Sequence, residues 1–163
     1  MKKKQQNVQP SKEYATLLRR LGAWFYDVLI VAAVLMLAGG IAMALIAGLL
    51  QLGILDISGY EDASAYLGKH PVAGMLYSGY LAAVVIAFYA FFWCKAGQTL
   101  GMRAWKLRLQ NSDGSNIRLT QAFIRMATSA FGLGNFIALF SKKKQSFQDI
   151  MAECEMIITP KVR

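Results

Sequence analysis

The sequence predicts an all-α membrane protein with two firm transmembrane helices, a third apolar helical hairpin or span, and a small cytoplasmic β element. Three observations carry that prediction. Apolar residues make up 56% of the 163-residue chain and charged residues only 17%, whereas soluble domains run near 45–50% and 25%. Two stretches, 21–50 and 71–94, are almost free of charge: the first holds only Tyr26 and Asp27 as ionisable groups, and the second no Lys, Arg, Asp or Glu. Each exceeds the roughly 20 residues that a helix needs to cross hydrocarbon about 30 Å thick. Finally, 18 Lys and Arg outnumber 9 Asp and Glu, giving a net charge of +9, and these charges flank the apolar stretches instead of forming one face.

Other classes are excluded by the same composition. The chain is too hydrophobic for a disordered tail, and two cysteines cannot make a disulfide scaffold. Cys94 and Cys154 belong to no CxxC pair, so a structural zinc site is not expected. The lone His70 cannot build a metal or catalytic cluster. Nucleic-acid binding is not expected of charges spread along membrane edges. Nothing resembles a nucleophile–base pair, a metal cage or a nucleotide loop, so neither an enzyme nor a cofactor is expected.

Taken in order, residues 1–13 read as a disordered basic tail, and 14–160 as one membrane domain. The first span covers about 21–50. A cleaved signal peptide fits poorly, because the apolar run continues past Ala42-Met43-Ala44 and carries Asp27. The basic stretch before it and the basic segment after the second span (Lys95, Arg103, Lys106, Arg108, Arg118) belong inside by the positive-inside rule. The acidic 51–70 loop then lies outside. His70 reads as a loop residue and Cys94 as a packing residue. The aromatic run from Phe88 to Trp93 reads as an interface belt, with Lys95 snorkelling beyond it.

The third apolar segment, 119–140, contains Arg125 and Gly132-Leu133-Gly134-Asn135, and Lys142, Lys143 and Lys144 follow. Those lysines favour a helix capped by Thr120 that turns at the glycines and returns, over a third span. Its apolar stripe would be Ala122, Phe123, Met126, Ala127 and Ala130, with Arg125 on the flank. The three lysines are expected at anionic headgroups. The alternating run from Trp105 to Leu109 and the β-prone run from Met156 to Thr159 are expected to pair, since an isolated strand is unstable.

Three stretches together resemble the RDD family of small bacterial membrane proteins. They are Arg20-Leu-Gly-Ala-Trp-Phe-Tyr-Asp27; Gly97-Gln98-Thr99-Leu100-Gly101-Met102-Arg103 followed by Leu107-Arg108-Leu109; and Gln145-Ser146-Phe147-Gln148-Asp149-Ile150. The resemblance spans about residues 14–160 and implies that Arg20, Asp27 and Asp149 are the charges that name the family. It also implies a bacterial inner-membrane location and membrane transport, including cation/proton exchange. Five positions depart from the family pattern: Met102 stands for a Lys, Gln148 for a His, Ile150 for a basic residue, and Glu153-Cys154 for a Gly-Thr pair.

Asp27 would lie roughly 9 Å inside the hydrocarbon at 1.5 Å per residue, so it must be protonated, paired or facing water. Arg20 is on the same face but about 10.5 Å away along the axis; Arg103 and Arg125 are candidate partners from other segments. One reading joins Arg20, Asp27, Asp149 and Arg103 or Arg125 in an ion-pair cluster that fixes the spans to the lobe or docks a partner. The leading reading of function makes Asp27 the titrating group of a small carrier exchanging a monovalent cation for protons, with Arg20 and Asp149 as orienting partners, which requires a homo-oligomer; the structural or docking cluster is its alternative. Gly97, Gln98, Thr99 and Gly101 read as a tight turn leaving the second span. The stripe Gly40, Ala44, Gly48 allows close helix packing, within the chain or between chains.

Overall fold

The computed structural model describes residues 13–141 and 144–159. The expected tail up to residue 12, Lys142 and Lys143, and Pro160 lie outside the described residues. Helix α1 (Leu17–Gln51) starts four residues before the uncharged run. At 1.5 Å per residue its 35 residues extend roughly 52 Å, enough to cross hydrocarbon and reach beyond it. Only Arg20, Ala23, Asp27 and Ala38 are buried along it, while Met36, Leu37 and Leu45 point outward. Such apolar exposure suits a helix solvated by lipid.

Asp62 caps the short helix α2 (Ala63–Lys69), its Oδ1 accepting from Ala65 N at 2.7 Å. His70 is not an idle loop residue. Its Nδ1 accepts from Ala73 N at 3.1 Å, capping α3 (Pro71–Phe91), and Pro71 occupies the first turn where no N–H is needed. A π-helical turn (Phe92–Ala96) extends α3 to Gly97, whose φ of +67° ends it. α1 and α3 meet where Tyr80 donates to Ala38 O at 3.3 Å. Gly39 lies against Tyr77 there, whereas side chains added at Gly40 or Gly48 would meet open space. The 40/44/48 stripe is therefore not what packs the two spans together.

The rest forms a lobe at the end of the spans: α4 (Leu100–Ala104), β1 (Leu107–Gln110), α5 (Leu119–Thr128), a 3-10 segment (Ala130–Leu139), α6 (Phe147–Met151) and β2 (Glu155–Ile158). The expected pairing is present: β1 and β2 are antiparallel, with Leu107 opposite Ile158 and Leu109 opposite Met156. The chain entering α1 adds to the free edge of β2, with Ile158 N donating to Glu13 O at 2.8 Å and Ala15 N to Met156 O at 3.0 Å. Leu107 and Leu109 are fully buried among Met102, Ile117, Ala122 and Cys154.

That sheet bears on the third segment. α5 and the residues from Gly132 to Leu139 are bent by 87°, and the two strands that bracket them pair with each other. The segment leaves and rejoins the same lobe, which favours the hairpin, while the bent pair is long and apolar enough by composition to count as a third span. Leu133, Leu139 and Phe140 project from it, exposed. Two details differ from expectation. Arg118, not Thr120, is the N-cap of α5, with Gln121 Oε1 accepting from Arg118 N at 2.8 Å. Ala122 and Arg125 form the buried side while Phe123 and Ile124 are exposed, so Arg125 faces the core and is not on a flank.

Candidate functional site

The buried charges fall into two separate constellations at the junction of spans and lobe. In the first, Ser146 is the N-cap of α6 and Asp149 its third residue, so a capping box turns the carboxylate back to Ser146 N at 3.1 Å. The same Oδ2 accepts from Arg20 Nη1 at 2.6 Å, and Oδ1 accepts from Arg125 Nη1. Asp149 is wholly buried, and each arginine is 2% exposed. Arg20 spends its other donors on Ala15 O, Lys144 O and Ser146 Oγ. One side chain thereby ties α1, α6 and the chain before each of them.

Arg125 also donates to Cys154 Sγ at 3.2 Å, and its guanidinium lies 5.0 Å from the centre of the Trp93 ring, a cation–π distance. Trp93 is thus a buried wall for Arg125 and not part of an interface belt. Burial pushes the Asp149 carboxyl up, but the Arg125 and Arg20 guanidiniums outweigh it and hold the group below the usual carboxylate range. Burial pushes the Cys154 thiol up, with Arg125 opposing.

Asp27 stands apart from this cluster. Thr99 Oγ1 donates to its Oδ2, and Gly101 N donates to its Oδ1 at 2.9 Å. Neither Arg20, Arg125 nor Arg103 is its partner, so the expectation of one joint ion cluster is corrected. The reason is reach: Arg20 lies two turns before Asp27 on α1 and folds toward α6 instead. Arg103 is exposed on α4 and makes no ion pair with a described residue.

The expected turn is present and does more than reverse the chain. Gly97 has a left-handed backbone, and its carbonyl accepts from Leu109 N at 2.7 Å, tying the turn to β1. Thr99 caps α4, its Oγ1 also accepting from Met102 N at 3.2 Å. At Gly101 a side chain would run into Ala23 O and the Asp27 carboxylate, so α4 lies on α1 only because that residue is glycine. Gln98 is half-buried and makes no side-chain bond to a described residue.

Between the constellations, α1, α3 and the hairpin line a half-open, mostly apolar cavity of about 510 Å³. Arg20, Asp27 and Arg125 contribute to its lining beside Val31, Leu35 and Val85. Gln148, which stands where a His was expected, donates to Asn135 Oδ1 at 3.0 Å and so ties α6 to the hairpin. Met102 is buried in the same wall. The sequence offered no signal for Trp93, Asn135, Ser146 or Cys154 as neighbours of the charges, since they converge only through the fold. Among the described residues no group of three His, Cys, Asp or Glu is placed to hold a metal ion.

Comparison with known families agrees with the motifs. The model of the RDD family matches residues 14–153. No curated protein and no solved structure matches the chain.

Proposed function

The chain belongs to the RDD family, and from that premise we propose that its named charges lock the fold of a small, non-catalytic membrane subunit. The observation that carries this reading is the partnering of Asp27. Both of its oxygens accept from donors that join α1 to the turn and α4, a use of the carboxylate that needs no transported ion. Arg20, Asp149 and Arg125 join α1, α5 and α6 in the same manner. The product is a rigid lobe fixed to two spans, a form suited to an accessory or structural subunit that docks a partner.

In this reading the chain sits in a bacterial inner membrane with its N-terminus and lobe in the cytoplasm, as the basic flanks favour. Exposed basic residues at that edge, such as Lys144, then meet anionic headgroups, at about 1 kcal/mol per residue. The test is the behaviour of Asp27→Asn. Loss of a fold lock lowers membrane abundance and thermal stability in detergent; unchanged abundance and stability would count against it.

A second reading keeps Asp27 as the titrating group of a cation/proton exchanger, in a homo-oligomer that completes the pathway. One observation favours it: Asp27 lines a cavity lying between the spans. Two spans and a hairpin are few for a pathway, so a chain monomeric in mild detergent would contradict it. Exchange abolished in Asp27→Asn at wild-type abundance would establish it over the first.

A further inference from the structure

Three buried polar atoms on residues that line the cavity have no hydrogen-bond partner: Trp93 Nε1, Arg125 Nε and Gln148 Oε1. A buried polar atom left unpaired costs about 1–3 kcal/mol, and native folds leave few of them. Two of the three are N–H donors on adjacent side chains, so an occupant rich in acceptor oxygens would complete those two.

Charge points the same way. Arg20 and Arg125 share the single carboxylate of Asp149, leaving one excess positive charge. Arg20 has all its nitrogens engaged, whereas Arg125 places only Nη1 on Asp149 and Cys154. The negative charge of Asp27 is about two turns, roughly 10.5 Å, farther along α1, with both oxygens directed at Thr99 and Gly101. Beyond it the walls are hydrocarbon: Val31 and Leu35 from α1, Val85 and Ile86 from α3. Those residues belong to the two spans, so the apolar part lies at bilayer depth. A volume of about 510 Å³ falls within the range of small-molecule sites, about 300–1,000 Å³.

We propose that this cavity is a binding site for one anionic phospholipid of the surrounding bilayer, with phosphate oxygens toward Arg125 and Trp93 and one acyl chain between α1 and α3. The lipid completes the unpaired donors and fills the space between the spans, and it joins the hairpin to the spans without a covalent link. The site is distinct from a general affinity of surface lysines for headgroups, because it holds one molecule and requires a chain.

Native mass spectrometry of the full chain, delipidated in mild detergent and titrated with phosphatidylglycerol, phosphatidylcholine or oleate, tests this. Phosphatidylglycerol gives one adduct per chain, about tenfold tighter than phosphatidylcholine, whose phosphate offers the same acceptors but whose choline cation opposes the excess positive charge of the two arginines. Val31→Trp, which fills the apolar part without touching the charges, abolishes the adduct. Trp93→Phe keeps a ring beneath Arg125 but removes Nε1, and it weakens the adduct about fivefold. Equal binding of phosphatidylglycerol and phosphatidylcholine overturns the proposal, as does an adduct formed by oleate alone. So does full retention of the adduct in both variants.

Discussion

Asp149 holds two arginines in place, and removing its charge leaves both cations buried. Asp149→Asn is therefore expected to cost about 3–5 kcal/mol, read as a lower unfolding temperature in detergent. The pH dependence has a definite sign. A carboxyl held below its ordinary value of 3.8 contributes stability that is complete above that value and is lost as pH falls through the lower, folded one. The chain should thus keep this contribution from neutrality down to the ordinary carboxylate range and lose it only in stronger acid; Asp149→Asn should lack that acid transition. A smaller change should stabilise. Glu153, the position where the family pattern carries Gly, is exposed with φ of +52°, a conformation that costs L side chains about 1 kcal/mol. Glu153→Gly should recover about that much in the same melt, and an unchanged or lower melting temperature would show that the strain is not there. The grouping of Arg20 with Asp149 and Arg125 followed from the family's named charges, although nothing local encodes a contact 129 positions away. What was not legible is that Asp27, seven residues on and on the same face, takes other partners.

At the scale of elements, hydropathy made α1 and α3 legible because lipid imposes unbroken apolar length, and the β1–β2 pairing followed from two short alternating runs. The orientation of α5 was misread because Arg125 was given the surface position usual for a charge. Its burial depends on a carboxylate and a tryptophan supplied by other elements. The cap of α5 was displaced by two residues because Gln121 closes back on Arg118. Gly101 is where α4 meets α1 without a side chain between them. Gly101→Ala should force the two apart and cost about 1–3 kcal/mol. Cys154 reports the result directly: buried, with its thiol pushed up, it should resist iodoacetamide in the wild type and react in Gly101→Ala under the same conditions. Equal protection in both would mean that the lobe tolerates the added methyl.

For the whole molecule, the pairing of β1 with β2 places both ends of the lobe on one side of the spans, and in the proposed orientation that side is the cytoplasm. Green fluorescent protein fused to the C-terminus should then fluoresce, and alkaline phosphatase fused there should be inactive; the reverse would mean an inverted orientation or a third crossing. Composition and hydropathy made the membrane class readable, and three dispersed motifs made the family readable. The division of its named charges into two constellations was not readable, because it arises where helices separated by 70 to 130 positions meet. In the proposed function those charges serve the fold and not a moving ion. The most direct measurement follows a pH-sensitive dye in everted membrane vesicles, pulsing Na⁺, K⁺ or Li⁺ into wild type, Asp27→Asn and empty controls at matched abundance. A fold-locking role predicts that all three respond alike to every cation. Collapse of the proton gradient with wild type alone would contradict it and make Asp27 a transport residue.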